Sequence, residues 1–120
     1  MFSLFRKKKH PQNDIWTEAY DDYIRLVNTG DNKRYLDVDT SIVIEDRDII
    51  QEHISNFSKE QLNGLDVADA LFKQKAAASK KEYLRAIQAD EEDAEYLQMV
   101  LDQLKYPHIS SSKWWYHIAD

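Results

Sequence analysis

The side chains in this chain with chemical potential are its carboxylates, four histidines and an aromatic run near the C-terminus, and their spacing decides what they can do. Asp37, Asp39, Ser41, Glu45 and Asp48 fall at positions one, three, five, nine and twelve of a calcium-loop register, the oxygen spacing a hard cation needs. Position six is Ile42, where such a loop requires a glycine, so packing is expected there and no metal site is assigned. His10, His53, His108 and His117 form neither HExxH nor an ExxH pair that would set two ligands on one helical face. His53 reads as a core histidine. His117 is the better functional candidate, because it follows Trp114, Trp115 and Tyr116. No GxSxG nucleophile elbow exists, Ser110 to Ser112 read as a plain loop, and Gly30 and Gly64 are too few and too far apart for a phosphate cradle. With no cysteine, thiolate metal sites, disulfides and cysteine nucleophiles are excluded. The expectation is a protein with no catalytic residue, no cofactor and no metal; an enzyme would need His53 or His117 to meet carboxylates in a pocket.

Two constellations point to binding instead. Asp90, Glu91, Glu92, Asp93 and Glu95 complement the positive end of a helix dipole, yet five carboxylates in six positions exceed what a helix start needs. Such a patch could steer and neutralise a basic partner. Trp114, Trp115 and Tyr116 cannot all point inward from an extended chain, so at least one is a candidate interface anchor beside His117; alternatively the tail wraps over the helices and closes the core. The formal charge of −6, from 22 acidic and 16 basic residues, disfavours nucleic-acid binding. The expected function is therefore a small acidic protein-binding module, of the immunity or antitoxin kind, that inhibits a basic, nuclease-type toxin domain. The alternative is a regulatory adaptor or assembly factor that works through a helical groove or a homodimer along Leu65 to Ile87. Basic residues gather at Arg6 to Lys9 and between Lys73 and Arg85. Arg6 to Lys9, behind Phe2, Leu4 and Phe5, would give only weak, salt-sensitive membrane contact.

These residues must be positioned by a chain of 120 residues with 42% apolar content, enough for one domain with a modest core. No secretory signal or run of about 18 apolar residues is visible, so the cytoplasm is the default compartment. Two Gly and two Pro leave room for long elements, and the expected fold is mainly α: a compact bundle of four to five helices at 13–120 behind a flexible basic leader at 1–12. Asn13 or Asp14 caps a first helix with Trp16, Ala19, Tyr20, Tyr23 and Val27 on one face, ended by Gly30. Residues 35–45 alternate with a period of two, which predicts a strand paired with 113–119, or else an extended packed loop. A helix resumes after Asp46 or Asp48. Ser58 and Gln61 then have capping-box spacing, between Phe57 and Leu62. Asn63-Gly64 is expected to break the chain before the strongest stripe, Leu65, Ala68, Phe72, Ala76, Ser79, Tyr83 and Ala86. A last helix, from near Asp90, buries Ala94, Leu97, Leu101 and Leu104, and Tyr106-Pro107 ends it.

Overall fold

A computed structural model of the chain describes residues 15–29, 35–37 and 40–120. The leader at 1–12, the capping candidates Asn13 and Asp14, and the stop at Gly30 lie outside the described residues. Among the described residues, four α-helices carry the fold: α1 (Ile15–Asn28), α2 (Thr40–Glu52), α3 (Lys59–Gln88) and α4 (Ala94–Gln103). Single 3-10 turns occupy Tyr35–Asp37, Ile54–Asn56 and Trp114–His117.

The helix α3, about 45 Å long at 1.5 Å per residue, is the spine. Contacts to it from α1 ascend in register, with Tyr20 meeting Gln61, Tyr23 meeting Asp69 and Lys75 meeting Val27, so α1 and α3 run in the same direction. Contacts from the α2 side descend: Leu36 meets Ser79 and Arg47 meets Asp69, so α2 runs back against both. The core forms where the stripes converge, with Tyr23, Phe72, Tyr83, Ile44, Ile50 and Leu97 fully buried. Aromatic rings link its parts. Tyr23 and Tyr35 each meet Phe72 edge-on, at centroid distances of 6.1 and 5.9 Å.

Two helix ends show how polar groups are satisfied. At the start of α3, Ser58 Oγ accepts from the Gln61 N–H at 3.1 Å while Gln61 Oε1 accepts from the Ser58 N–H at 2.9 Å, the reciprocal capping box the spacing predicts. At the end of α1, the buried Lys75 ammonium donates to the carbonyls of Val27 and Thr29 at 2.6 and 3.3 Å. A cation thus sits on the negative end of the helix dipole and satisfies otherwise orphaned acceptors.

Three expectations need correction. Among the described residues there is no strand: Thr40–Glu52 is helical and Trp114–His117 is a 3-10 turn. The period-two run is real, but Val43, Ile44, Arg47 and Ile50 are buried at helical spacing, and the polar Asp46 and Arg47 inside that buried set disguise it. Second, Asn63-Gly64 breaks nothing. Tyr20 lies across α3 there, its hydroxyl donating to the Gln61 carbonyl at 3.0 Å, and a Cβ at Gly64 would meet that hydroxyl at 2.5 Å. Glycine is present for close approach, not for a turn. Third, the last helix starts at Ala94, because Asp90 takes φ of 52° and ends α3. The N–H groups of Asp90 and Glu91 return to the carbonyls of Ile87 and Ala86, a Schellman closure with Asp in the left-handed position usually given to Gly.

The Gly64 contact makes a prediction whose sign depends on one oxygen atom. Gly64→Ala should lower stability by about 1 kcal/mol, since overpacking outweighs helix propensity. In a Tyr20→Phe background the same change should raise stability by up to about 1 kcal/mol, because the clashing atom is gone. Denaturant unfolding of the four chains measures both signs.

Candidate functional site

Among the described residues, one buried polar group joins three helices. Arg47 on α2 donates from Nε and one terminal nitrogen to the two oxygens of Asp69 on α3, at 2.9 and 3.0 Å, and from the other to Gln51 at 3.0 Å. Tyr23 on α1 donates to the same Asp69 at 2.5 Å. Burial, then the Asp69 carboxylate, raises the Tyr23 phenol pKa, so it stays a protonated donor. The Arg47 guanidinium lies 4.6 Å from the Trp115 ring centroid. Sequence spacing gave no sign of this network, whose members are far apart in the chain.

Two of the C-terminal aromatics, Trp114 and Trp115, lie against the Arg47 guanidinium. Trp115 is 3% exposed, and its indole N–H has no acceptor among the described residues, so packing and Arg47 hold the ring. Trp114 is half-buried, with Phe72 at 5.9 Å on one side and the Lys73 ammonium 4.4 Å from its ring. Tyr116 packs edge-on against Tyr106 at 5.2 Å. Burial first and the Asp48 carboxylate second push its phenol up to about 12. His117 joins Asp120 through Nδ1 at 2.8 Å and the Ile109 carbonyl through Nε2 at 2.9 Å. Both partners are acceptors, so the doubly protonated ring fits best, and its pKa is raised, by Asp120 first and the carbonyl next. His53 lies in the turn after α2, half-buried.

The acidic cluster is elsewhere. Asp90, Glu91, Glu92 and Asp93 form the link from α3 to α4, and Glu95 lies in the first turn of α4. Glu91 pairs with Arg85 at 2.9 Å, Asp93 is half-buried, and Asp90, Glu92 and Glu95 face solvent. Phe72, against which Trp114 packs, is roughly 24 Å before the end of α3 at 1.5 Å per residue. The aromatic and acidic candidates are therefore two places, not one surface.

A surface the sequence reading missed is the groove between α1 and α3, about 480 Å³ in volume. Tyr20, Ile24, Ala68 and Leu71 floor it, Gly64 opens it, and Val67 stands on its wall, 71% exposed. Asp21 lines it, and the Tyr20 hydroxyl, raised by burial first, also feels the carboxylates of Asp21 and Glu60. Arg25 also lines it, 3.4 Å from Asp22. The available signal was that Val67 and Leu71 fall outside the buried stripe of α3 yet stand four residues apart, as Ile24 does from Tyr20 on α1. A smaller groove of about 280 Å³ runs between the Leu36–Ser41 segment and α4, where Tyr96 and Met99 are 47% and 45% exposed.

Among the described residues, no three His, Asp or Glu side chains converge to hold a metal ion, and no helix is long and apolar enough to cross a membrane. No family model, curated protein or solved structure matches the chain.

Two outcomes test the buried network and its clasp. Asp69→Ala leaves the Arg47 charge buried and should cost about 3–5 kcal/mol in denaturant unfolding, whereas Arg47→Met with Asp69→Leu should recover most of that loss. Because the His117 pKa is raised, its contribution is complete below 6.5, the ordinary value, and is lost as pH climbs through the folded value. Thermal melting followed across that range should show a stability decrease that Asp120→Asn removes.

Proposed function

We propose that this chain is a small protein-binding module that takes a partner helix in the α1/α3 groove, as an adaptor or assembly factor would. The observation that supports it is Val67: a large apolar side chain 71% exposed on the wall of a groove floored by Tyr20, Ile24, Ala68 and Leu71. Parallel helices with Val67, Ala68 and Leu71 at i, i+1 and i+4 on one side and Tyr20 and Ile24 at i and i+4 on the other offer apolar contacts on which an amphipathic helix can anchor. Two or three anchor side chains would fill it.

A second reading has its own observation. Asp90, Glu92 and Glu95 all face solvent within six positions of the chain, acidic groups that suit inhibition of a basic, nuclease-type toxin by an immunity or antitoxin-like protein. Neither reading assigns catalysis.

Substitutions separate the two. Val67→Lys should leave stability within about 0.5 kcal/mol, the position being exposed, and weaken partner capture from the native host by tenfold or more, about 1.4 kcal/mol. Glu92→Lys with Glu95→Lys should leave that capture intact. The opposite pattern, with binding that also collapses at high salt, would replace the groove by the acidic surface.

A further inference from the structure

The α1/α3 groove has an order to its chemistry. Asp21 lines it halfway along α1, Glu60 in the first turn of α3 acts on the same Tyr20 hydroxyl, and Ile24, Val67 and Leu71 extend the apolar part away from that hydroxyl. Arg25 stands one turn beyond Asp21, already 3.4 Å from Asp22. A ligand matched to this order presents cations toward the Tyr20 hydroxyl and apolar side chains further along.

The sequence contains such a segment next to the groove. Residues 1–9 read MFSLFRKKK: Phe2, Leu4 and Phe5, then four consecutive cations, Arg6 to Lys9. This stretch precedes Ile15, the first residue of α1, so its cations are nearer the helix starts and its apolar residues have more tether. Leu4 can stand at most roughly 36–40 Å from Ile15, at the maximal reach of an extended chain. Ile24, midway along the groove, is only about 14 Å from Ile15 along the helix axis. Reach therefore does not limit docking.

We propose that the α1/α3 groove binds the MFSLFRKKK segment of its own chain, with Arg6 to Lys9 toward Asp21 and Glu60 and Leu4 and Phe5 toward Val67 and Leu71. A tethered segment meets its site at about millimolar effective concentration, so even a weak fit occupies it substantially. Occupancy stands on the groove and the sequence alone. Its regulatory consequence rests on the partner reading above: the segment competes with the partner helix, and apparent partner affinity falls in proportion to the open fraction.

The absence of cysteine from the chain allows a direct test in the full-length protein. Leu4→Cys is combined with Val67→Cys, and separately with Ser55→Cys, an exposed position near Phe57, which itself packs on Trp16 in α1. Under mild oxidation the Val67 pair should form an intramolecular disulfide with about tenfold the yield of the Ser55 pair, as localisation over free tethering implies. Lys7→Glu, Lys8→Glu and Lys9→Glu together should erase most of that preference at low salt. Equal yields at the two positions, no disulfide at Val67, or a disulfide between two chains would each overturn the proposal, the last by placing a second copy's segment in the groove. Partner binding is measured separately, with Phe2→Ser, Leu4→Ser and Phe5→Ser. A segment that cross-links to Val67 without these changes altering partner affinity would keep the occupancy and remove the partner reading.

Discussion

Arg47 and Asp69 are the pair on which the packing of this protein turns. Their bidentate contact joins α2 to α3, the Tyr23 hydroxyl brings α1 to the same carboxylate, and Trp115 covers the guanidinium from the C-terminal tail. A buried ion pair is a poor source of net stability, because desolvating both charges offsets much of their attraction. It is effective at selection. Any slip of α2 along α3 would strand one charge in the core, a penalty of several kcal/mol, while an apolar stripe of similar residues would tolerate the slip more cheaply. Hydrophobic burial supplies the driving force here, and the polar contacts set the register.

That register determines which residues remain for function. The aromatic tail reads as a binding element when only its composition is considered, yet the network needs a ring over Arg47, and Trp115 supplies it. Lys113 at 3.3 Å from Asp48, His117 on Ile109 and Asp120, and Lys80 on the Asp120 carbonyl fasten the tail on both sides of that ring. Side chains committed to closing a core are costly to lend to a partner, since lifting them exposes the guanidinium's packed face. Surfaces that the network does not use carry no such cost.

What the sequence made legible follows from how local each signal is. The capping box at Ser58 and Gln61 and the stripe from Leu65 to Ala86 were readable because both are set within a few residues. The strand expected at 35–45 failed because the alternation of Leu36, Thr40, Ile42 and Ile44 carries weight only if the buried positions are apolar, and at Asp46 and Arg47 they are not. Those two become acceptable inside only through partners on other elements, and for Arg47 the partner Asp69 is 22 residues away. Gly64 was misread for the same reason. A glycine within a helix marks either a break or a close approach, and the Tyr20 ring that decides between them comes from another helix. The acidic run shifted by one turn because Asp90 accepts a left-handed backbone, an unusual use of a non-glycine residue. The groove was the least legible feature, being a property of two helix faces at once.

The unequal helix lengths explain why such a groove exists at all. The spine α3 has 30 residues, while α1, α2 and α4 have 14, 13 and 10, so no neighbour can flank it along its whole length. α1 and α2 share its first half and α4 returns along its second. Around the first half, the Arg47 network pulls α1 and α2 toward one side of α3, since Tyr23 and Arg47 must both reach Asp69. Convergence on that inner side leaves the outer seam between α1 and α3 with no further helix among the described residues. Gly64 deepens the seam by letting Tyr20 lie flat across α3, and Val67, one turn on, is left with solvent where a neighbour would otherwise pack. The exposed apolar wall is thus a consequence of the buried ion pair: the same geometry that fixes the register of three helices opens the seam on their far side.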